Sequence, residues 1–456
     1  MRELVRFYAR QEWTYAAMSK PPDIFDVLVV GAGPAGIAAA CCAAEGGARV
    51  GVIDNNPLVG GQIWRGQAQD HAGNPQARKW FEKFAAAPIQ FLPSTEVVDQ
   101  LERGRVVVQS NDVQCMGDVG ELAYRKLVLC TGARELFLPF PGWTLPNVIG
   151  AGGLQALVKS GFSIAAKKIV VAGSGPLLFA VAAYLREHGA DVRLVAEQAP
   201  WHRLARFGIS LAFEKTKLAQ AFAMNRQLSG VPYKTSCWPV RAGGEGRLET
   251  VTLRSGNGTW QEPCDYLACG FHLVPNTELA ALLGCDLRAG FVRVDDSQQS
   301  SVPGVFCAGE LTGIGGVDLS IVEGQIAGYA AAGATARAAN LTPQKRRLDR
   351  FAALLRETFV LREELRSLAD AETIVCRCED AKFARVRRHS SWRAAKLQTR
   401  CGMGPCQGRI CGAAAEFLFG WKVDSVRPPV FAAPLQSLAV AAAQVQEDLV
   451  SHEESR

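Results

Sequence analysis

The clearest pattern of apolar and polar positions lies at residues 26–54. An apolar, β-branched run from Val27 to Val30 predicts a buried strand. Gly31, Gly33 and Gly36 follow in G-x-G-x-x-G spacing, and the alanine-rich stretch after them is typical of a helix. A second apolar strand ends at Asp54. The pattern predicts a βαβ unit that binds a dinucleotide.

Each residue type in this unit has a predicted task. Gly31 makes the tight turn, Gly33 lets the backbone approach a pyrophosphate at the helix N-terminus, and Gly36 lets helix and strand pack closely. Asp54 follows Gly31 by 23 residues, where an acid can accept hydrogen bonds from ribose hydroxyls. The predicted cofactor-binding positions of this unit are Gly31, Gly33, Pro34, Ala35, Gly36 and Asp54.

A second βαβ pattern begins at Lys168. Gly173 and Gly175 fill the first two glycine positions, Leu178 fills the third, and the following strand ends at Glu197. Because a leucine stands where helix and strand should approach most closely, we expect a shifted helix. Two interpretations stay open. Gly173, Gly175 and Glu197 bind a second nucleotide, NAD(P) or another, or the domain is Rossmann-like for architecture alone.

The pattern becomes helical after Ala339. Apolar residues recur close to a helical period among many charged ones at Leu348, Phe351, Leu354, Leu355, Phe359 and Leu361. This pattern therefore predicts a linker helix or a pair of helices over residues 342–368.

Composition narrows the class of protein. The chain has 456 residues, 48% of them hydrophobic, enough for about three domains of roughly 150 residues. A net charge of +6 gives no field strong enough to argue for nucleic acid. We recognise neither a secretory signal nor a stretch of 18 apolar residues. We expect a cytoplasmic protein without a transmembrane segment, with a peripheral position at the inner face of the membrane as an open alternative. Residues 1–23 receive no predicted function.

Five of the fourteen cysteines lie close together in the sequence, at Cys376, Cys378, Cys401, Cys406 and Cys411. In a reducing compartment clustered thiols indicate a metal. A [2Fe-2S] cluster needs four thiolates, two on each iron, and Cys376 and Cys378 can reach one small volume from a single turn. A five-residue step turns ~500° on a helix, so a regular helix could not present Cys401, Cys406 and Cys411 together. We therefore predict a loop here, which Gly402, Gly404 and Gly408 favour. A four-cysteine zinc site is the open alternative.

Several short sequence motifs outside the two βαβ units resemble those of a known family. The chain resembles flavoproteins with two dinucleotide sites, such as thioredoxin and glutathione reductases. The resemblance rests on the two Rossmann patterns, GGQIW from Gly60, the Thr131-Gly132 turn, GFHLVPNTEL and the late Gly309-Glu310. The resemblance implies FAD in the first site and adds Gly61, Gln62, Thr131, Gly132, Gly309 and Glu310 to the predicted contacts. Glu310 stands where the family usually has an aspartate. Disulfide reductases of this family carry a C-x-x-C or C-x4-C redox pair beside the flavin. We recognise neither spacing in the flavin or second nucleotide regions, so we do not expect a disulfide reductase. The nine scattered cysteines predict inert thiols.

The C-terminal cysteines carry a second resemblance. VCRCED followed by TRCGMGPCQGRIC resembles the bacterioferritin-associated-ferredoxin type of [2Fe-2S] domain, in the variant fused to flavoprotein subunits of heteromeric amino-acid and opine dehydrogenases. That resemblance implies Cys376, Cys378, Cys406 and Cys411 as ligands and leaves Cys401 as a spare thiol near the cluster. It also implies a smaller partner subunit with an amino-acid-oxidase fold, which oxidises the substrate, and an electron acceptor protein or quinone chain.

We therefore predict an α/β chain with two Rossmann-like dinucleotide-binding domains and a small helical [2Fe-2S] domain. The predicted FAD-binding domain comprises residues 24–150 and 288–338. The other predicted parts are a second Rossmann domain at 151–287, a helical linker at 339–370 and the cluster domain with its tail at 371–436. The main hypothesis is an electron-transferring subunit of a dehydrogenase oxidising a C–N bond of an amino acid, imino acid or opine. An NAD(P)H-dependent flavin reductase and a redox sensor or scaffold are the alternatives. No acid–base pair or nucleophile stands out, so the catalytic residues stay unknown.

Overall fold

The computed structural model describes residues 24–67, 74–112, 118–211, 226–423, 426–435 and 439. Residues 1–23 and Cys115 lie outside this range. The helices are α1 Pro34–Glu45, α2 Pro75–Ala86, α3 Ala151–Lys159, α4 Leu177–Glu187, α5 Trp201–Leu211, α6 Glu278–Leu282, α7 Val317–Ala331, α8 Thr335–Ala339, α9 Thr342–Thr358, α10 Phe383–Val386, α11 Trp392–Thr399 and α12 Cys411–Phe419. The strands are β1 Phe25–Val30, β2 Val50–Ile53, β3 Ile89–Leu92, β4 Thr95–Glu102, β5 Arg105–Ser110, β6 Val119–Leu129, β7 Ala133–Leu136, β8 Val148–Gly150, β9 Lys168–Gly173, β10 Asp191–Glu197, β11 Tyr233–Lys234, β12 Cys237–Gly243, β13 Thr250–Ser255, β14 Gly258–Pro263, β15 Tyr266–Gly270, β16 His272–Pro275, β17 Leu287–Arg288, β18 Phe291–Val292, β19 Val305–Cys307, β20 Ile374–Cys376 and β21 Ala381–Lys382.

The chain forms two compact units, each built from separate stretches of sequence. The first lies within Met1–Ala133, Pro275–Ala352 and Ser425–Arg456, and the second within Arg134–Val274 and Ala353–Asp424. The helix α9 forms where the apolar period predicts it. The four predicted domains divide the chain more finely than these units, and their boundaries stay a prediction.

The first unit contains a seven-stranded sheet in the order β3-β2-β1-β6-β5-β4, with β19 also paired to β6. The strands β3, β2, β1, β6 and β19 are mutually parallel. The helices α1 and α2 make the crossovers from β1 to β2 and from β2 to β3 that parallel pairing requires. Two glycines on α7 allow it to lie directly against α1. A Cβ at Gly324 would stand 2.1 Å from the Ala35 carbonyl oxygen, and one at Gly328 would stand 2.1 Å from the Ala39 carbonyl oxygen. This close packing fixes the start of α1, where the first glycine motif lies.

The second unit contains a five-stranded parallel sheet in the order β11-β10-β9-β15-β8 and a three-stranded antiparallel sheet, β12-β13-β14. Hydrogen bonds join the cysteine-bearing segment to the rest of this unit. Trp143 Nε1 donates to the Ile374 carbonyl oxygen at 2.6 Å, and Arg134 Nε donates to the Arg409 carbonyl oxygen at 3.0 Å. In the part of the chain that the structure describes, no helix has the length and apolar character needed to cross a bilayer.

Candidate functional site

The first glycine motif forms a tight turn between β1 and α1. Gly31 has φ +102°, and a Cβ there would stand 2.3 Å from the Cys130 carbonyl oxygen. A Cβ at Gly36 would stand 1.7 Å from the Gly31 carbonyl oxygen. Gly33 differs from both, because a Cβ there would meet nothing closer than Gly61 Cα at 4.0 Å. Gly31 and Gly36 are therefore required by protein packing, whereas the space beside Gly33 is left open.

The GGQIW segment lies against this turn. The Gly60 amide donates to the Ala32 carbonyl oxygen at 2.8 Å. Gly61 has φ +58°, and a Cβ on it would approach Gly33 Cα to 2.9 Å. Trp64 anchors the segment, since its ring is buried and meets Phe81 edge-on at a centroid distance of 5.7 Å. Two glycine backbones, at Gly33 and Gly61, thus face each other, which lets a charged pyrophosphate approach the main chain closely.

Asp54 lies at the end of β2 and joins a small polar network. Its Oδ2 accepts the Ala32 amide at 2.6 Å, and its Oδ1 accepts both the backbone and side-chain N–H groups of Asn56 at 2.8 Å. Arg65 Nη2 donates to Asn56 Oδ1 at 2.8 Å, while Arg65 Nε is buried without a partner. Because each carboxylate oxygen has two lone pairs and Oδ2 accepts only one hydrogen bond, Asp54 retains capacity for one ribose hydroxyl at Oδ2. Asn56 and Arg65 were missed from sequence, where nothing links them to the aspartate.

The turn at Thr131 and Gly132 is hydrogen-bonded to Asn276, so it does not present two free donors to a cofactor. Thr131 Oγ1 donates to the Asn276 carbonyl oxygen at 2.7 Å, and Asn276 Nδ2 donates to the Thr131 carbonyl oxygen at 2.8 Å. Gly132 has φ +67°, and a Cβ there would meet no atom within 4 Å. The Thr131 hydroxyl is therefore used structurally, and only the Gly132 backbone borders open space.

Glu310 has one carboxylate oxygen that no protein group satisfies. Its Oε1 accepts the Gly316 amide at 3.0 Å, but its Oε2 is buried without a partner, and burial raises the pKa of Glu310 to about 7. Glu323, on α7, holds the adjacent turn by accepting the Gly309 amide and the Thr312 hydroxyl, both at 2.9 Å. Glu323 was missed from sequence, because no local pattern marks a buried acid within an apolar helix. An unpartnered buried oxygen on Glu310 indicates a missing hydroxyl or amide donor.

These features fit FAD in the first unit. The open space at Gly33, the bare backbone of Gly61 and the orphaned Glu310 oxygen correspond to a pyrophosphate on the glycine turn and to a hydroxylated chain that supplies donors. Pro34 and Ala35 form the first turn of α1, behind that space. Gln62 lies in the GGQIW segment beside it.

The second glycine motif has the same backbone turn but different surroundings. Gly173 has φ +145°, and a Cβ there would stand 2.0 Å from the Gly270 carbonyl oxygen. The helix α4 begins at Leu177, four residues after Gly173, whereas α1 begins three residues after Gly31. Leu178 is fully buried. The later helix start agrees with the shift expected from a leucine at the third glycine position.

The acid of the second motif is engaged by its own loop. Glu197 is 0% exposed, and its carboxylate accepts the Gly175 and Ala199 amides at 2.8 Å. The Gly175 amide occupies the position of Gly33 in the first motif, where a pyrophosphate would be bound. Burial raises the pKa of Glu197 to about 7. The Glu197 carboxylate and the Gly175 amide of this motif are therefore hydrogen-bonded within the protein itself.

The chain following α9 lies over the second glycine loop. Ser174 Oγ donates to the Phe359 carbonyl oxygen at 3.3 Å, and Gln198 Nε2 donates to the Val360 carbonyl oxygen at 3.3 Å. The Arg362 amide in turn donates to Gln198 Oε1 at 3.2 Å. We name residues 359–362 the covering segment, because they bind the loop and strand end that would contact a nucleotide.

The five clustered cysteines form two groups. Cys376, Cys401 and Cys411 are buried, and their Sγ atoms all lie within 4.8 Å of one another. Cys378 is exposed and Cys406 is half-buried, and their thiols are within hydrogen-bonding reach of each other. Cys411 also reaches the Cys406 thiol, which links the two groups. We call the first three the inner thiols and the other two the outer pair.

The peptide backbone around the thiols provides hydrogen-bond donors. The Gly402 amide donates to Cys376 Sγ at 3.5 Å, and hydrogen bonds from the Cys401 and Cys411 thiols lower the pKa of Cys376. A Cβ at Gly404 would stand 2.3 Å from Cys378 Cβ, so only glycine allows this close approach. As expected, no helix spans the described stretch between Thr399 and Cys411. Thiolates supported by N–H donors suit an iron–sulfur cluster, and the set as a whole can hold one.

The scattered cysteines are buried wherever the structure describes them. Burial raises the pKa of Cys41, Cys42, Cys130, Cys237, Cys264 and Cys269, as expected of inert thiols. Cys285 is different, because hydrogen bonding with the Cys307 thiol lowers its pKa to about 7. Cys285 departs in this respect from the inert thiols expected. It is 22 residues from Cys307 in the sequence, so their contact arises only in the fold.

One scattered pair has the spacing of a redox pair, which was overlooked from sequence. Cys264 and Cys269 stand in C-x4-C spacing within the second nucleotide region. Cys269 lies inside β15, which pairs with β9 on one side and β8 on the other, and both cysteines are buried free thiols. Desolvation by burial raises the pKa of both, which disfavours the thiolate that disulfide exchange requires. Cys264 and Cys269 therefore have the spacing of a redox pair but the surroundings of buried core thiols.

The chain is similar along most of its length to known oxidoreductases. The family model of pyridine nucleotide-disulphide oxidoreductases matches residues 25–336. Together with the two dinucleotide-type units described above, this match shows that the chain belongs to that family of flavin-dependent oxidoreductases.

Within the family, the similarity is to components of multi-subunit enzymes. An opine oxidase subunit of Rhizobium meliloti is 32% identical over 436 residues, covering 86% of this chain and 81% of the relative. Hydrogen cyanide synthase subunit HcnB of Pseudomonas aeruginosa is 31% identical over 420 residues, covering 84% of this chain and 90% of the relative. The predicted resemblance is thereby confirmed. L-proline dehydrogenase from P. horikoshii shares the fold, with a TM-score of 0.66 at 18% identity over 91% of this chain and 80% of that chain.

Proposed function

We propose that this chain is the FAD- and [2Fe-2S]-containing, electron-transferring subunit of a heteromeric dehydrogenase. The complex oxidises a C–N bond of an amino acid, imino acid or opine. The observation that carries this proposal is the presence, on one chain, of a flavin-type glycine turn and a cluster of five cysteines, three of which could hold a metal. The relatives named as opine oxidase and hydrogen cyanide synthase subunits support the C–N substrate class.

The residues of the first unit position the flavin cofactor. The backbone at Gly33 and the N-terminus of α1 face the pyrophosphate, Asp54 accepts from a ribose hydroxyl, and Glu310 accepts from the hydroxylated chain. FAD accepts electrons in pairs and a [2Fe-2S] cluster passes them on singly. The cysteine segment supplies the thiolates that hold the cluster. The substrate is oxidised in the smaller partner subunit, which has an amino-acid-oxidase fold.

The covering segment disfavours the alternative of an NAD(P)H-dependent flavin reductase. In such an enzyme the second unit delivers hydride from a bound nicotinamide nucleotide. Here the Gly175 amide is already bound by Glu197, and Ser174 is bound by the Phe359 carbonyl. A nucleotide would have to displace both contacts. The second unit is therefore architectural in this proposal.

Disulfide reduction is not part of the proposed activity. A disulfide reductase of this family carries a redox-active cysteine pair beside the flavin. Within the described flavin and nucleotide regions, the C-x4-C spacing belongs to Cys264 and Cys269, whose burial raises their pKa and keeps them protonated. Neither thiol is suited to attack a disulfide.

Purification of the chain from its native source with its bound partners tests the proposal. We expect an amino-acid-oxidase-like protein in the complex, FAD and iron in both absorbance and chemical analysis, and reduction of an artificial dye by one member of a panel of amino acids, imino acids and opines. A complex without turnover on the whole panel would favour the redox sensor or scaffold. Zinc in place of iron and sulfide would remove the electron-transfer role.

A further inference from the structure

The three inner thiols are one more than a single iron of the cluster can bind. A [2Fe-2S] cluster binds two thiolates on each iron. The outer pair, Cys378 and Cys406, supplies one iron, and the inner thiols supply the other with one thiol in excess. The family resemblance implies Cys376 and Cys411 as the ligands of the inner iron, which leaves Cys401 as the thiol in excess.

We propose that Cys401 is a reserve ligand of the inner iron, able to replace Cys411 or Cys376. This inference rests on the proposed function only in requiring a [2Fe-2S] cluster. The step exchanges one thiolate for another. Cys401 loses its proton and bonds iron, the iron–sulfur bond of the leaving cysteine breaks, and that thiolate takes the proton. No oxidant or reductant takes part.

The distances permit this exchange with little movement. Two thiolates on one tetrahedral metal, with bonds of about 2.3 Å, stand about 3.8 Å apart. The inner Sγ atoms are at most 4.8 Å apart, so any two can be brought to a shared iron by a shift of about 1 Å. A rotation about the Cα–Cβ bond moves a sulfur by that amount.

The backbone at Cys401 is fixed, so only its side chain needs to move. Arg400 adopts the left-handed conformation with φ +63° at the end of α11, and the Cys401 amide donates to Thr399 Oγ1 at 3.3 Å. Gly402 packs on the Trp392 ring, where a Cβ would stand 2.6 Å from a ring carbon. Cys401 itself is 0% exposed. A thiol held in this way is presented to the inner iron and shielded from solvent reagents.

Among the described residues, no group of three ligand atoms as close as the inner thiols includes Cys378 or Cys406. Cys406 lies in the loop and Cys378 in the turn after β20, and of these two Cys378 is exposed. The reserve hypothesis therefore predicts an asymmetry between the two irons. Loss of one inner ligand is tolerated, whereas loss of either outer ligand is not.

Four variants of the full chain test the asymmetry, with iron and acid-labile sulfide per chain and the EPR spectrum after dithionite reduction as readouts. Cys401→Ala should keep two irons and the wild-type EPR spectrum. Cys411→Ala should keep two irons with shifted g values, since a different thiolate is bound. The double variant Cys401→Ala/Cys411→Ala and the outer-pair control Cys406→Ala should both lose the cluster. Far-UV circular dichroism establishes folding in each case.

Two outcomes would overturn the reserve role. The first is a folded Cys411→Ala chain that contains as little iron as the double variant. The second is loss of iron from Cys401→Ala, which would make Cys401 an obligatory ligand. If Cys411→Ala does not fold, Cys376→Ala decides the question, because Cys401 and Cys411 should then hold the inner iron. A wild-type chain without iron and sulfide would instead contradict the proposed function itself.

Discussion

Gly33→Ala separates the binding of FAD from the stability of the fold. Gly33 has φ −74° and ψ −176°, an extended conformation that alanine adopts without strain. A methyl group there would have 4.0 Å to its nearest neighbour. The FAD-free variant should therefore match the wild type in free energy of unfolding to about 1 kcal/mol, because the smaller entropy of the unfolded alanine variant and its poorer N-cap preference oppose each other.

The same methyl group should weaken FAD binding strongly. It extends about 1.5 Å from Cα into the space that a pyrophosphate approaches. Charge-assisted hydrogen bonds from backbone amides are worth about 1.5–3 kcal/mol each. Loss of two such bonds corresponds to about 3–6 kcal/mol, or roughly 10²- to 10⁴-fold in the dissociation constant of FAD.

Titration of FAD-free protein with FAD, followed by flavin fluorescence, measures that constant, and denaturant unfolding measures stability. Gly36→Ala is the matched control, because its Cβ would stand 1.7 Å from the Gly31 carbonyl oxygen and must disturb the fold. We expect Gly36→Ala to lose stability and FAD together, and Gly33→Ala to lose FAD alone. A Gly33→Ala chain that binds FAD within about twofold of the wild type would refute the placement of the pyrophosphate.

Three further predictions concern the metal and a buried acid. The purified chain should contain iron and acid-labile sulfide in equal amounts, and stoichiometric zinc would contradict this. Cys401→Ala should retain the visible absorption of the cluster and Cys406→Ala should lose it; the reverse result would overturn the grouping of thiols. Burial raises the pKa of Glu310 to about 7 from its ordinary 4.5, so the folded FAD-free chain retains a proton that the unfolded chain loses. The resulting stability is present below pH 4.5 and lost as the pH rises through 7. Glu310→Gln should remove up to about 3 kcal/mol of this pH dependence in denaturant unfolding, and parallel pH curves for variant and wild type would count against it.

Local patterns predicted the elements of the fold well. The apolar run before Gly31 and the glycines after it specify strand, turn and helix through neighbouring residues alone, and the fold class is confirmed. The loop around Gly402 and Gly408 followed in the same way from spacing. These features depend on interactions within a few residues, which a sequence displays directly.

Contacts between distant residues could not be predicted. Glu323 holds the Gly309 turn from a helix whose sequence is otherwise apolar, and the covering segment reaches Ser174 across 185 residues. Spacing alone also could not group five cysteines, since it contains no information on which sulfurs meet. The proximity of Cys401 to Cys376 and Cys411 emerges only when α11, the glycine loop and α12 are placed in space.

The most direct test of the account is anaerobic reduction of the purified complex, followed by absorbance of flavin and cluster. The account predicts that an amino acid, imino acid or opine bleaches both, and that NADH and NADPH leave both unchanged because the second glycine loop is bound by Glu197 and the covering segment. Rapid bleaching by NADH or NADPH, without any response to the amino-acid-type substrates, would contradict the account.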